Sequence, residues 1–549
     1  MLEGCTFWPK DRAQRYRDAG YWEGMTLWEM MARTVNRLPD KVALVVGDRR
    51  ETYRDLDQIS ARLASALLSK GIGTLDRVVL QLPNIAEFVH YYLALVRIGA
   101  IPVLALRAHR HTEVRHFIRS SGAVAYVVPD IANKFDYRPM AAEMQQEFAS
   151  LKTVIVVGEA GKGQLSHKQV MEAAGDEATV AARLAKLKVD AEDVATMLLT
   201  GGTTSLSKLI PRTHQDYVLN ARLCATAAGF DENTVFMAIL PLGHNYNLAS
   251  PGMFGTFYFG GKVVVAPSTN MTDIFSLVEK EKVTVIAAVV PLIASWMAST
   301  EPDRFDLSSL KVVQNGGARL APELRRRLMT RFGCTPQEVY GTAEGLINMT
   351  RLDDPEDLLL NSSGSPVCVD DEIKVVDDAG NEVPDGEAGE LLTRGPYTVC
   401  GYYNAAKINA EAFTEDGFYR MGDIVRKHGR YLYTEGRRKD LINRGGEKIS
   451  CEEVENFILM HPAVRSVSLV AMPDPLFGEK ACAFVILKEG KSLAFDELIA
   501  FLRGLKIASF KLPERLEVVP QFPLSPVGKI LKRQLRDEIA AKIEKEGKA

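Results

Sequence analysis

Short apolar runs rich in β-branched residues alternate with segments of helical period through the first two thirds of this chain. That alternation constrains the fold more than any other feature. Val42-Ala-Leu-Val-Val46, Arg77-Val-Val-Leu-Gln-Leu82, Ala123-Val-Ala-Tyr-Val-Val128 and Val154-Ile-Val-Val157 read as buried strands, with helical period over 55–70 and 85–99 between them. Further strands are expected at 262–266, 283–287 and 310–314. Such a pattern builds an α/β architecture with parallel-rich sheets covered by helices.

The texture changes after Gly364 to short strands and turns, as in Glu372-Ile-Lys-Val-Val-Asp377 and Gly389-Glu-Leu-Leu-Thr-Arg394. A second break falls at 436–446, dense in glycine and charge, before a helix at 450–460 and strands at 467–471 and 481–487. The expected organisation is a large N-terminal domain over 1–439, with a β-rich subdomain over about 364–435, and a small α+β domain over 440–549. A chain of 549 residues is long enough for both.

Composition narrows the class. A formal net charge of -3 leaves no basic surplus for a nucleic-acid backbone. Seven cysteines without a CxxC pair point to reduced thiols in a cytoplasmic protein, not to a zinc site or disulfide framework. With no signal-like N-terminus and no apolar run of about 18 residues, neither export nor a membrane partner is expected.

Five segments carry candidate chemistry. Thr200-Gly-Gly-Thr-Thr-Ser-Leu-Ser-Lys208 follows the strand-like Val194-Ala-Thr-Met-Leu-Leu199 and combines a glycine-freed backbone, hydroxyls and an ammonium. That set suits polyphosphate, though the Walker A spacing is missing and a solvated loop is the alternative. Gly316-Gly-Ala-Arg319 admits a flat ring against the backbone, or is a plain strand-to-helix turn. In Tyr340-Gly-Thr-Ala-Glu-Gly345, Tyr340 can stack on a base and Glu344 can hold Mg²⁺, unless the segment is only a tight turn. Asp423, in Tyr419-Arg-Met-Gly-Asp423, suits the vicinal hydroxyls of a ribose, with Arg437 fourteen residues on; the alternative is a surface ion pair. Pro523-Leu-Ser-Pro-Val-Gly-Lys529 offers one late lysine, which on its own reads as solvated.

In their order these segments, with Gly436-Arg-Arg-Lys-Asp440, resemble the adenylate-forming superfamily of acyl-CoA synthetases, peptide-synthetase adenylation domains and luciferases. The resemblance covers nearly the whole chain. Lys208-Leu-Ile-Pro-Arg-Thr-His214, Gly243-His-Asn-Tyr-Asn-Leu-Ala-Ser-Pro-Gly252, Ala343-Glu-Gly-Leu-Ile-Asn-Met-Thr-Arg-Leu-Asp353 and Ile442-Asn-Arg-Gly-Gly-Glu-Lys448 look like the stand-alone aryl-acid AMP ligases of siderophore pathways, as do Arg394-Gly-Pro-Tyr-Thr and Arg15-Tyr-Arg-Asp-Ala-Gly-Tyr-Trp.

The resemblance implies ATP-dependent activation of 2,3-dihydroxybenzoate or, next, salicylate, with Mg²⁺, and transfer to the phosphopantetheine thiol of an aryl carrier protein. It implies that Thr200, Gly201, Gly202, Thr203, Thr204 and Lys208 hold phosphates. Gly316, Gly317, Tyr340, Gly341 and Thr342 would border the adenine, Asp423 and Arg437 the ribose, and Glu344 the metal. Lys529 would bridge the attacking carboxylate and the α-phosphate, with His244 as the second catalytic candidate. His244, Asn245, Tyr246, Ser250, Gly317 and Ile347 would form the acyl pocket. Asp440 would be the hinge of a C-terminal lid, and Lys448 would serve the thiolation state.

Ser250 leans toward a dihydroxylated ring, while Ile347 approaches the residue of salicylate enzymes. Departures from the pattern fall at Ser205, Asn315, Thr342, Met349 and Arg107 to Arg110. An amide at Asn315 also suits a heteroaromatic or amino-substituted acid such as 3-hydroxypicolinate. The rivals are an aryl-CoA ligase that uses free coenzyme A and a non-catalytic acyl-adenylate-binding protein.

Overall fold

Val235–Ala238, Lys262–Val265 and Val285–Ala288 are almost wholly buried strands, which is why they are mainly apolar, and Val312–Gly316 is equally buried but carries Gln314 and Asn315. In the computed structural model, which describes residues 2–200, 207–437, 440–444, 447–505, 507–525 and 528–546, they form the middle of a nine-stranded sheet. Thr335–Thr342 and Val42–Val46 extend it in parallel on either side. Gly345–Met349, Ser365–Pro366 and Arg49–Thr52 finish its edges antiparallel.

A second, seven-stranded sheet holds Arg77–Leu80, Ile101–Leu104, Ala125–Pro129, Thr153–Val157 and Leu165–Ser166 in parallel with Val194–Leu199. Leu209–Thr213 pairs antiparallel with Val194–Leu199, and just beyond the pair the Thr200 amide donates to the Lys208 carbonyl (3.2 Å). The helix His214–Ala227 starts at once, capped by Thr213, whose side chain accepts from the Asp216 amide while Asp216 answers the Thr213 amide. Helices Tyr53–Ser69 and Ala86–Arg97 pack against one another in the main core.

Glu372–Val376, Ala388–Arg394, Tyr419–His428 and Tyr431–Arg437 make an antiparallel four-stranded sheet. From Ile442 onward a five-stranded sheet, centred on the pair Val464–Asp474 and Gly478–Leu487, is backed by helices Cys451–Leu459, Phe495–Gly504 and Lys532–Glu546 around its own buried clusters. This part meets the rest of the chain at several points. Ser450 donates to the carbonyl of Glu435 (2.5 Å), and Thr434 donates to Glu452 (3.4 Å). Among the described residues no helix is long and apolar enough to cross a membrane.

Candidate active site

Several candidate residues lie at the carboxyl ends of the parallel strands, where open α/β sheets leave their binding crevice, while Asp423 and Arg437 face each other across an antiparallel pair and Lys529 comes from the C-terminal part. Val312–Gly316 ends in Gly316-Gly317, Thr335–Thr342 delivers Tyr340, and the chain after Val235–Ala238 runs into His244 and the helix Asn245–Ala249. Two contacts show how tightly these ends pack. A Cβ on Gly316 would stand 2.9 Å from the Tyr246 ring. A Cβ on Gly317, whose φ is +86°, would stand 2.9 Å from Cε of Lys529. The late lysine therefore lies on the glycine turn, more than two hundred residues away in sequence.

Around Lys529 the charges are mixed. Desolvation pushes its pKa down, and Arg437 adds to this; Asp423 and Glu344 pull the other way. Asp423 is buried and serves two partners: its Oδ1 faces Nε of Arg437 at 2.7 Å and its Oδ2 accepts from the Tyr340 hydroxyl at 2.7 Å. Desolvation drives the Tyr340 phenol far above its usual range, with the Asp423 carboxylate adding to the effect, so it stays a donor. The ion pair is real, but its carboxylate lies inside the crevice instead of on the surface.

Glu344 is buried too, and its Oε1 accepts from the Tyr402 hydroxyl at 2.7 Å. Gly345 beside it has φ +132° and would bring a Cβ within 2.4 Å of the Thr398 backbone, so only glycine fits. Lys208 places its ammonium 5.2 Å from the Tyr402 ring centre, which brings the base of the hydroxyl-rich loop beside Glu344. Thr200 and Lys208 close that loop, with the Lys208 amide donating to Thr200 Oγ1 at 3.0 Å. Gly201, Gly202, Thr203, Thr204 and Ser205 lie outside the described residues, as does the side chain of Lys448 in the strand Glu447–Ile449.

His244 caps its helix: Nδ1 accepts from the Tyr246 amide at 3.3 Å. Burial, with Lys529 nearby, lowers its pKa to about 3. The ring is therefore neutral, and since Nδ1 accepts, the proton sits on Nε2. Such a histidine is a hydrogen-bond donor and not a proton acceptor at neutral pH.

The acyl-pocket candidates are joined by amide contacts. Asn245 Oδ1 accepts from Tyr217 (2.8 Å) and its Nδ2 donates to Ser250 Oγ (3.2 Å). Ser250 also accepts from Asn220 Nδ2 (3.2 Å). Ile347 is buried, its amide donating to the Tyr397 hydroxyl at 3.1 Å, and its Cδ1 leaves only 2.7 Å for a Cβ at Gly341. Thr342 closes the turn by donating to the Gly345 carbonyl (2.9 Å). Asn315 donates from Nδ2 to the Ala318 carbonyl (2.7 Å) and to Glu338 Oε2 (3.0 Å), so both its amide hydrogens are committed there. Arg110 lies over the Phe135 ring at 4.1 Å. Asp440 is held through its carboxylate by Arg536 (2.9 Å).

Four residues stand out that motif reading did not single out. Tyr402 holds Glu344, Tyr397 holds Ile347, Tyr217 holds Asn245, and Arg212 ties the carbonyls of Ala343 (2.9 Å) and Tyr397 (3.0 Å) together. Arg212 and Tyr397 both lay inside recognised motifs, but nothing in one sequence distinguishes a buried brace from any other charged or aromatic residue.

The AMP-binding enzyme family model matches residues 31–403, and the AMP-binding enzyme C-terminal domain model matches 453–529. A 2,3-dihydroxybenzoate-AMP ligase of Bacillus subtilis is 46% identical over 99% of both chains. A salicylyl-CoA synthase / salicylate adenylyltransferase of Streptomyces is 45% identical, again over 99% of both. The apo structure of MbtA from Mycobacterium smegmatis superposes with a TM-score of 0.74 at 38% identity, covering 97% of this chain and 99% of that one. Matching both family models over most of its length, and carrying the strand-end crevice with its late lysine, this chain belongs to the AMP-binding enzyme family.

Proposed function

We propose that the protein activates an aromatic carboxylic acid with ATP and transfers it to a phosphopantetheine thiol, 2,3-dihydroxybenzoate being favoured and salicylate next. The observation that carries this reading is Lys529 lying on Gly317, within electrostatic reach of Asp423, Glu344 and His244. In the first step a carboxylate oxygen attacks the α-phosphorus, the bond to the β-phosphate oxygen breaks, and pyrophosphate leaves. Negative charge approaches negative charge, so a cation fixed at that point both orients and stabilises. Lys529 supplies it. His244 offers Nε2–H to the carboxylate or phosphate oxygens, and Asn245 offers an amide N–H to the aryl acid. Asp423 retains lone pairs for ribose hydroxyls beyond those used by Tyr340 and Arg437.

Glu344 fits Mg²⁺. One of its carboxylate oxygens is held by Tyr402, and among the described residues no group of three or more His, Cys, Asp or Glu is gathered. One carboxylate with phosphates and water is the donor set that Mg²⁺ takes. When bound, the ion neutralises charge on the triphosphate. In the second step a thiolate attacks the acyl carbon and AMP leaves; here the part of the chain from Asp440 pivots as a lid and withdraws Lys529.

Aryl-acid-dependent exchange of labelled pyrophosphate into ATP, across benzoate, salicylate, 2,3-dihydroxybenzoate, 3-hydroxypicolinate and anthranilate, tests the reading. Strong exchange with a hydroxylated benzoate supports it, whereas folded protein silent with all five refutes it. Acceptor assays with a loaded carrier protein and with coenzyme A separate the ligase from its coenzyme A rival.

Ser250→Cys is expected to move preference from 2,3-dihydroxybenzoate toward salicylate by about tenfold in the kcat/KM ratio, because sulfur is a poor partner for a polar ring substituent and for the two amides now on Oγ. An unchanged ratio removes Ser250 from the specificity argument.

A further inference from the structure

We propose that Tyr217 is a positioning residue which fixes the Asn245 amide in one orientation and thereby makes the pocket select an ortho-hydroxyl over an ortho-amino group on the aryl acid. The inference rests on the aryl-acid reading above and deepens it.

The argument begins with Asn220. Its Nδ2 lies 2.6 Å from the Ala249 carbonyl, which can only accept, so the Asn220 amide has one orientation. Its second N–H reaches Ser250 Oγ, which therefore accepts. Ser250 alone does not orient Asn245, because a hydroxyl can accept from Nδ2 or donate to Oδ1. Tyr217 makes the choice. Its side chain is fully buried, and among the described residues its hydroxyl has one hydrogen-bond partner, Asn245 Oδ1 at 2.8 Å. Burial keeps the phenol protonated. If the Asn245 amide turned over, Nδ2 would face the phenol and the phenolic hydrogen would have no acceptor, a buried loss that disfavours the turned state by roughly tenfold or more. The Arg212 guanidinium, 4.9 Å above the Tyr217 ring centre, leaves the phenol little freedom to follow.

With Oδ1 held by Tyr217, the edge that Asn245 keeps for the pocket is a donor, the second hydrogen of Nδ2. An ortho-hydroxyl directs its own hydrogen to the neighbouring carboxylate and leaves its oxygen as an acceptor. An ortho-amino group spends one N–H in the same way and presents the other, a donor against a donor. A donor set against a donor leaves buried hydrogens unpaired, and discrimination of this kind is larger than that from shape alone.

Tyr217→Phe keeps the ring over Arg212 and removes only the hydroxyl. In pyrophosphate exchange, the salicylate-to-anthranilate ratio of kcat/KM is expected to fall about tenfold, through KM for the acids, with KM for ATP unmoved. An equal loss for both acids, or an unchanged ratio, overturns the proposal. Asn245→Asp is the second variant: a carboxylate presents only acceptors, so it should lose the hydroxyl preference whether or not Tyr217→Phe folds. Retention of that preference in Asn245→Asp also overturns the proposal. A wild-type enzyme that exchanges with salicylate and anthranilate equally defeats this inference alone, while one that exchanges with no aryl acid defeats the reading beneath it.

Discussion

Lys529→Ala is expected to lower aryl-acid-dependent pyrophosphate exchange by at least about 10²–10³-fold, the usual cost of deleting one group aimed at developing phosphoryl charge. The melting temperature should hardly move. Lys529 lies next to Ile530, which bridges Leu524, and it is an exposed residue whose Cε rests near Gly317, so no core contact is lost. The same variant, given preformed aryl-AMP, should still pass the acyl group to a thiol if the proposed lid movement withdraws the lysine in that step. Retained exchange would refute the assigned role, and loss of both half-reactions would mean a structural one. A pH profile gives the independent check. Desolvation and Arg437 lower the Lys529 pKa, so the ammonium is lost at a lower pH than for an ordinary lysine. If the cation is the active form, as proposed, kcat/KM should fall as pH rises through that lowered value, and Lys529→Arg should push the fall to higher pH.

The alternation that set the fold class is visible in sequence because fully buried parallel strands need apolar residues on both faces. Strand ends are less visible. The runs at 283–287 and 310–314 begin two residues before the observed strands Val285–Ala288 and Val312–Gly316, since pairing to the neighbouring strand fixes where each begins. The candidate residues were legible where glycine and charge are concentrated. Their supports were not. Tyr402 lies 58 residues from Glu344 and Arg212 lies 185 from Tyr397, and a tyrosine that holds a carboxylate reads like any core aromatic until the chain is folded. Asp423 and Arg437 show a different limit. The functional and ion-pair readings looked like alternatives, yet a carboxylate that is buried and already paired with Arg437 and Tyr340 is compatible with both.

Arg212→Met should destabilise the protein by about 3–5 kcal/mol, the cost of stranding one partner of a buried ion pair. Both Arg212 and Asp216 are fully buried, with Arg212 Nε 2.7 Å from Asp216 Oδ1. The other two guanidinium nitrogens serve the Ala343 and Tyr397 carbonyls, so the fork joins the helix His214–Ala227 to the turn that carries Glu344 and to the segment behind Ile347. Arg212→Lys keeps a charge but not three directed contacts, and is expected to recover only part of the loss. The double variant Arg212→Met/Asp216→Leu is the decisive comparison. Replacing both members removes the stranded charge, so it should be markedly more stable than Arg212→Met alone in urea unfolding. It should not regain full pyrophosphate exchange, because the Ala343 carbonyl, one residue from Glu344, remains untied. If the single and double variants unfold at the same urea concentration, the pair is not what holds these elements together. If the double variant is fully active, the turn carrying Glu344 does not depend on the brace.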